Sequence, residues 1–377
     1  VGIVRNDVDL QKTLQQLSTW GRTYDPLAHY RRTRFLELAK LRVFHHNFSI
    51  RGVFFMRAIL SVLLILITGA CAVTPERLAE ALNDSSAQEF RESSFVPVYI
   101  ATTRAASNAP ACKNQYFGVK ASEETRYVIC ETNVPKNHSV GALDETYDAP
   151  DRDAYLFART IRRSDLAGIV AASQSAKQVL VFVHGFNVKF EEAVYRAAQI
   201  KYDLRFKGPV VLFTWPAGSD DGILSSLNVS GTYEMNFQNA RKSRNQFREF
   251  ITALSGGGST VHLIVHSMGH QVVIPALTEG GSPPRLGEVI FNAPDFALED
   301  FKKAAPILRP AVKRITLYCS PGDNALVASE KVNGGKRIGR CAKIPDVDVV
   351  NVNEVDSPVL GIGGLGHGYY SGRAILT

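Results

Sequence analysis

From Gln178 onward the chain repeats one unit: a short unbroken apolar run, a turn, and a stretch able to form a helix. Gln178-Val179-Leu180-Val181-Phe182-Val183 is the plainest run. Pro209-Val210-Val211-Leu212-Phe213, His262-Leu263-Ile264-Val265, Glu288-Val289-Ile290-Phe291 and Arg314-Ile315-Thr316-Leu317-Tyr318-Cys319 follow it. A strand with one wet face alternates apolar and polar residues, whereas a strand covered on both faces is apolar throughout. Between the runs, the segment Glu191 to Ile200 opens on acids that favour a helix N-terminus. Phe237, Ala240, Phe247, Ile251 and Leu254 fall on one helical face, ended by Gly256-Gly257-Gly258. The alternation predicts an α/β fold, a mostly parallel central sheet with helices on both faces. Val96 to Ala101 and Tyr127 to Cys130 read as two earlier strands, and Asn137 to Asp153 as a surface loop.

The turns after these runs hold the residues of a nucleophilic site. Phe182-Val183-His184-Gly185-Phe186 closes the first run, Val265-His266-Ser267-Met268-Gly269 the third, Asp323 follows the fifth, and His367 lies beyond it. Serine, then aspartate, then histidine, with an HG turn upstream, is the chain order of the alpha/beta-hydrolase fold; chymotrypsin and subtilisin order the same groups differently. Ser267 is expected on a sharp strand-to-helix turn, with Val265 standing where G-x-S-x-G has its first glycine. The backbone amides of Phe186 and Met268 are expected to form an oxyanion hole. Asn187 either caps the next helix or orients the turn, and His184 reads as a structural hydrogen-bonding residue.

Elimination selects the base. His262 and His266 lie on the nucleophile strand and His270 one turn past the serine, so His367, in Gly366-His367-Gly368-Tyr369-Tyr370, is the histidine free to reach Ser267. Two carboxylates compete for the third role: Asp323 is favoured, with Asp295 in Ala293-Pro294-Asp295 as the alternative acid. Gly361-Ile362-Gly363-Gly364-Leu365-Gly366 matches a dinucleotide fingerprint, but only 11 residues follow Gly366, too few for the rest of that fold. No cofactor or metal is expected. Lys331 to Arg340 reads as a solvated basic loop.

The net charge of +7 suggests nucleic acid until it is partitioned. Residues 1–55 hold nine Lys/Arg against four Asp/Glu, which leaves the other residues at +2. That segment reads as an upstream extension from a misplaced start, or as a basic tail. Residues 56–71 follow, with a basic start at Met56-Arg57, about ten apolar residues, and Thr68-Gly69-Ala70-Cys71. This is the pattern of a bacterial export signal, and its apolar run is short for a membrane span. The last four residues resemble a lipobox, with Thr68 in place of the usual leucine, which would lipidate Cys71 and anchor the protein to a membrane; Ala72 would then address it to the outer membrane. Ala70-Cys71-Ala72 also fits ordinary signal cleavage, giving a soluble periplasmic protein, and an uncleaved anchor is a third reading. Residues 72–95 read as a tether and 96–377 as the alpha/beta-hydrolase domain.

Export alters how the cysteines are read. Cys112, Cys130, Cys319 and Cys341 form an even set for an oxidising compartment. Three pairings are open, besides four free thiols. The local pairs, Cys112 with Cys130 and Cys319 with Cys341, would each stabilise by ~3 kcal/mol.

Ala101-Thr102-Thr103-Arg104, Phe182 to Asn187, Thr214-Trp215-Pro216, His266 to Gly269, Ala293 to Asp295 and Asp323-Asn324-Ala325-Leu326 together resemble a family of bacterial alpha/beta hydrolases catalogued as a domain of unknown function. The resemblance implies a hydrolase fold with a Ser, Asp, His site, and Trp215 and Pro216 either at the pocket mouth or in packing. The leading expectation is an exported carboxylic-ester hydrolase acting on a small-molecule or lipid ester. A non-catalytic envelope lipoprotein using the fold as a binding module is the alternative.

Overall fold

Among the described residues, nine strands make one sheet: β1 (Phe95–Ala106), β2 (Phe117–Asn133), β3 (Phe157–Arg163), β4 (Gln178–Val183), β5 (Val210–Thr214), β6 (Thr260–His266), β7 (Leu286–Asn292), β8 (Val312–Cys319) and β9 (Asp348–Asn351). They come from a computed structural model that describes residues 95–136, 138–141, 143, 153–154, 156–219, 229–352 and 367, all within the unit Ser86–Thr377. The export signal with Cys71, residues 72–94 of the tether, most of the 137–153 loop and the glycines at 361–366 lie outside the described residues.

The strand order is β3-β2-β1-β5-β4-β6-β7-β8-β9. β2 runs antiparallel to both β1 and β3, and every other neighbouring pair is parallel. Among the described residues, seven α-helices accompany them: α1 (Leu166–Ala176), α2 (Phe190–Asp203), α3 (Val229–Lys242), α4 (Arg244–Gly256), α5 (His270–Thr278), α6 (Leu298–Leu308) and α7 (Asn324–Asn333).

The unbroken apolar runs are explained by two cores. In β4, Val179, Val181 and Val183 join one core while Leu180 and Phe182 join the other; in β5, Val211 and Phe213 oppose Val210 and Leu212. Successive side chains of a strand point to opposite faces, so a strand between two cores must be apolar at every position. Phe213 meets Phe247 and Phe250 of α4 on the first face, and Ala193, Val194, Ala197 and Ile200 of α2 cover the second. Each fully buried phenylalanine contributes roughly 1.5–3 kcal/mol relative to exposure.

The structure departs from the sequence expectations in three places. The helical face from Phe237 to Leu254 belongs to two helices, α3 and α4, broken at Ser243. The Ser243 hydroxyl donates back to Asn239 O and also meets Thr103 Oγ1, both at 2.9 Å, so it competes with the helical ladder. Strands β3 and β9 carry no apolar run because they are the sheet edges, with β9 exposed throughout. Third, Lys331–Arg340 is not one solvated loop. Its first residues end α7, residues 331–336 are exposed, and Arg337 is buried.

Candidate active site

Four parallel strands end on one edge of the sheet, and each hands the chain to one part of the site. β4 leads to His184-Gly185-Phe186, β6 to Ser267, β7 to Asp295 and β8 to Asp323. Ligands of open α/β sheets bind at this carboxyl edge.

Ser267 begins a short 3-10 turn, Ser267–Gly269, between β6 and α5, and its φ is 51°, in the left-handed region that a side chain rarely adopts. Two donors hold that conformation: His270 Nδ1–H reaches Ser267 O at 2.7 Å and Asp295 N–H reaches it at 3.3 Å. Small neighbours are obligatory. A Cβ on Gly185 would stand 2.7 Å from Ser267 Cβ, and one on Gly269 would stand 2.5 Å from His184 O. Val265 fits in place of a glycine because its side chain is buried in the first core.

His367 Nε2 lies 2.7 Å from Ser267 Oγ, and its Nδ1 lies 2.6 Å from Asp323 Oδ2. Asp323 is fully buried at the N-cap of α7, where its other oxygen, Oδ1, accepts Leu326 N–H at 3.1 Å. A helix N-terminus favours negative charge, so the N-cap position suits a carboxylate that also faces the imidazole. His266 Nε2–H donates to the backbone oxygen of His367 at 3.4 Å. Ser267, His367 and Asp323 are thus brought together.

Asp295, the alternative acid, is engaged elsewhere. Its carboxylate accepts from Tyr233 OH at 2.8 Å and from Ser329 Oγ, and it lies 3.3 Å from Arg337 Nε, with both side chains of this ion pair 5% exposed. Burial, then the Asp295 charge, pushes the Tyr233 hydroxyl above its ordinary range.

His184 and Trp215 support the first turn from within. Trp215 is 0% exposed, which makes it a packing residue and not a wall of an open pocket. It stacks on His184 at 5.3 Å and donates from Nε1 to His184 O at 3.0 Å. Asn187 orients the turn, with φ 55°, while the N-cap of α2 is Lys189. The three histidines around the elbow are held neutral: burial, then the Arg104 charge, lowers His184 to about 3; burial lowers His270 to about 3; burial, then His367, lowers His266 well below 6.5.

Arg104 went unread as a site residue. The guanidinium is fully buried, lowered to about 9 by burial, and it donates to neutral oxygens of Thr214, Gly118, Ala217 and Val188, partners that the fold and not the local sequence supplies. Two register shifts in the β1–β2 pairing flank it, and such bulges re-aim side chains. The disulfides join Cys112 to Cys130 and Cys319 to Cys341. Among the described residues no group of three or more His, Cys, Asp and Glu side chains is placed to hold a metal ion.

A mostly parallel sheet flanked by helices, with a serine on a strained strand-to-helix turn, defines an alpha/beta hydrolase. The family described as "Alpha/beta hydrolase of unknown function (DUF900)" matches residues 162–377, more than half of the chain, and the protein belongs to it. None of the curated proteins matches the chain.

Proposed function

We propose that the protein is an exported serine hydrolase that cleaves carboxylic esters through an acyl-enzyme, with Ser267 as nucleophile, His367 as base and Asp323 as its partner. One observation carries this reading: an unbroken chain of contacts from Ser267 Oγ through both ring nitrogens of His367 to Asp323, at 2.7 and 2.6 Å. In this reading His367 Nε2 takes the hydroxyl proton as Oγ bonds to the ester carbonyl carbon. The Phe186 and Met268 amides receive the negative charge that develops on the carbonyl oxygen. The imidazolium then gives its proton to the departing alkoxide, which leaves the acyl group on Ser267. Water repeats the sequence, releasing the acid and restoring the serine. Asp323 accepts Nδ1–H throughout, which fixes the tautomer and stabilises the imidazolium.

Export and anchoring through Cys71 fit the two disulfides, since such bonds persist in oxidising compartments. The proposed location is the bacterial envelope, with the catalytic domain in the periplasm. Rapid mixing with 4-nitrophenyl esters of graded acyl length tests the chemistry. The expected result is saturable turnover with a burst of nitrophenolate approaching one equivalent wherever deacylation is slow; hydrolysis no faster than in buffer for every ester would count against it.

A further inference from the structure

The peptide group between Gly185 and Phe186 is held from behind by side chains that touch no reacting atom. In a trans peptide the carbonyl and the N–H point in opposite directions, so whatever fixes Gly185 O also aims Phe186 N–H. A relay of three oriented hydrogen bonds ends on that oxygen. Arg104 Nε–H donates to Thr214 Oγ1 at 2.9 Å, the Thr214 hydroxyl donates to His184 Nε2 at 2.9 Å, and His184 Nδ1–H donates to Gly185 O at 3.1 Å. Chemistry forces this direction, because a guanidinium only donates and a carbonyl only accepts. A neutral imidazole between them must carry its proton on Nδ1, and burial keeps His184 neutral.

The flanking peptides are fixed as well. Asn187 N–H donates to Asn236 Oδ1 at 3.1 Å, and Val188 O accepts from Arg104 Nη2 at 2.9 Å. Arg104 Nη1 also reaches Gly118 O and Ala217 O, both at 2.9 Å, so the start of the relay is itself anchored in two other segments. Thr214 ends β5 and is 0% exposed, and its hydroxyl joins the cation to the imidazole.

We infer that Thr214 is a positioning residue: the relay Arg104–Thr214–His184 aims the Phe186 amide at the oxyanion, an inference that rests on the serine-hydrolase reading above. Removing the Thr214 hydroxyl leaves the nucleophile and base in place but lets the Gly185–Phe186 peptide rotate.

The test compares Thr214→Val, which keeps the shape of the side chain, with Thr214→Ser, which keeps the hydroxyl. Each is assayed on 4-nitrophenyl butyrate and on its thionocarbonyl analogue, whose sulfur is a weak acceptor. Loss of a whole oxyanion donor costs ~10²–10³ in kcat, so a misaimed donor should lower the kcat of Thr214→Val on the ester by about 10-fold or more. The expected pattern is an unchanged KM, a smaller loss on the thionoester, and near wild-type rates for Thr214→Ser. If Thr214→Val does not fold, Thr214→Cys, with only a weak donor, carries the same comparison. Full ester activity in the folded variant, or equal losses on both substrates, would overturn the inference. Wild-type protein that turns over neither substrate would remove the hydrolase reading and the relay with it, a failure visible before any variant is made.

Discussion

Asp323 serves His367 and a helix with one carboxylate: Oδ2 lies 2.6 Å from His367 Nδ1 while Oδ1 caps α7 through Leu326 N–H. The cap holds the carboxylate through an oxygen that His367 does not use, so both contacts are made at once. Asp295 has comparable burial but faces Tyr233, Ser329 and Arg337.

This contrast separates two substitutions. Asp323→Asn should lower kcat by roughly 10⁴ through loss of the correct tautomer, with a modest change in melting temperature. Asp295→Asn should do the reverse, since Arg337 would be left buried without its partner at a cost of about 3–5 kcal/mol. Steady-state kinetics beside thermal melts decide it; the opposite ranking in activity would move the acid to Asp295.

Gly185→Ala should abolish turnover in a folded protein, because the new methyl would stand 2.7 Å from Ser267 Cβ and 2.8 Å from His266 Nδ1. The measurement is hydrolysis beside circular dichroism. Retained activity would mean that the turn is free to move away from the serine.

The two disulfides should differ in consequence. Cys319 ends β8 just before the acid loop, where Ser320 N–H donates to Gly339 O at 3.0 Å and Asp323 N–H to Ser320 O at 3.2 Å. Replacing Cys319 and Cys341 together by alanine should cost ~3 kcal/mol of stability and lower activity in the folded fraction. The matching replacement of Cys112 and Cys130 should cost stability alone. Equal activity in the two double variants would disconnect the bridge from the acid loop.

Acid should unfold the protein through its buried histidines. His184 and His270 sit at about 3 when folded, against 6.5 ordinarily, so the stability they contribute is complete above pH ~6.5 and declines as pH falls toward 3. The unfolded chain takes up protons there that the folded chain refuses, at a slope of up to ~1.4 kcal/mol per pH unit for each histidine. Melting temperatures measured from pH 8 to pH 4 should fall below about pH 6.5. A flat profile would show that these rings protonate in place.

The parts of this architecture legible in the sequence are those with local causes. β4, β5 and β6 announce themselves because burial on both faces makes every position apolar, and the elbow because close approach demands Gly269. Strands β3 and β9 stay silent because an edge imposes no such demand. The break at Ser243 depends on Thr103, 140 residues away. Arg104 and Arg337 are cations in a sequence that offers no sign of burial, since their partners are hydroxyls, carbonyls or a carboxylate brought in by the fold. Between Asp323 and Asp295 the sequence could rank but not separate, and the separation comes from which side chains surround each one.

The most direct measurement is labelling by a fluorophosphonate probe, read by mass spectrometry of the intact protein and its peptides. The expected result is one adduct per chain, located on Ser267, absent from Ser267→Ala and strongly slowed in His367→Ala. A folded wild-type protein that takes up no probe, or a Ser267→Ala variant labelled as fast as wild type, would contradict the assignment of Ser267 as the nucleophile.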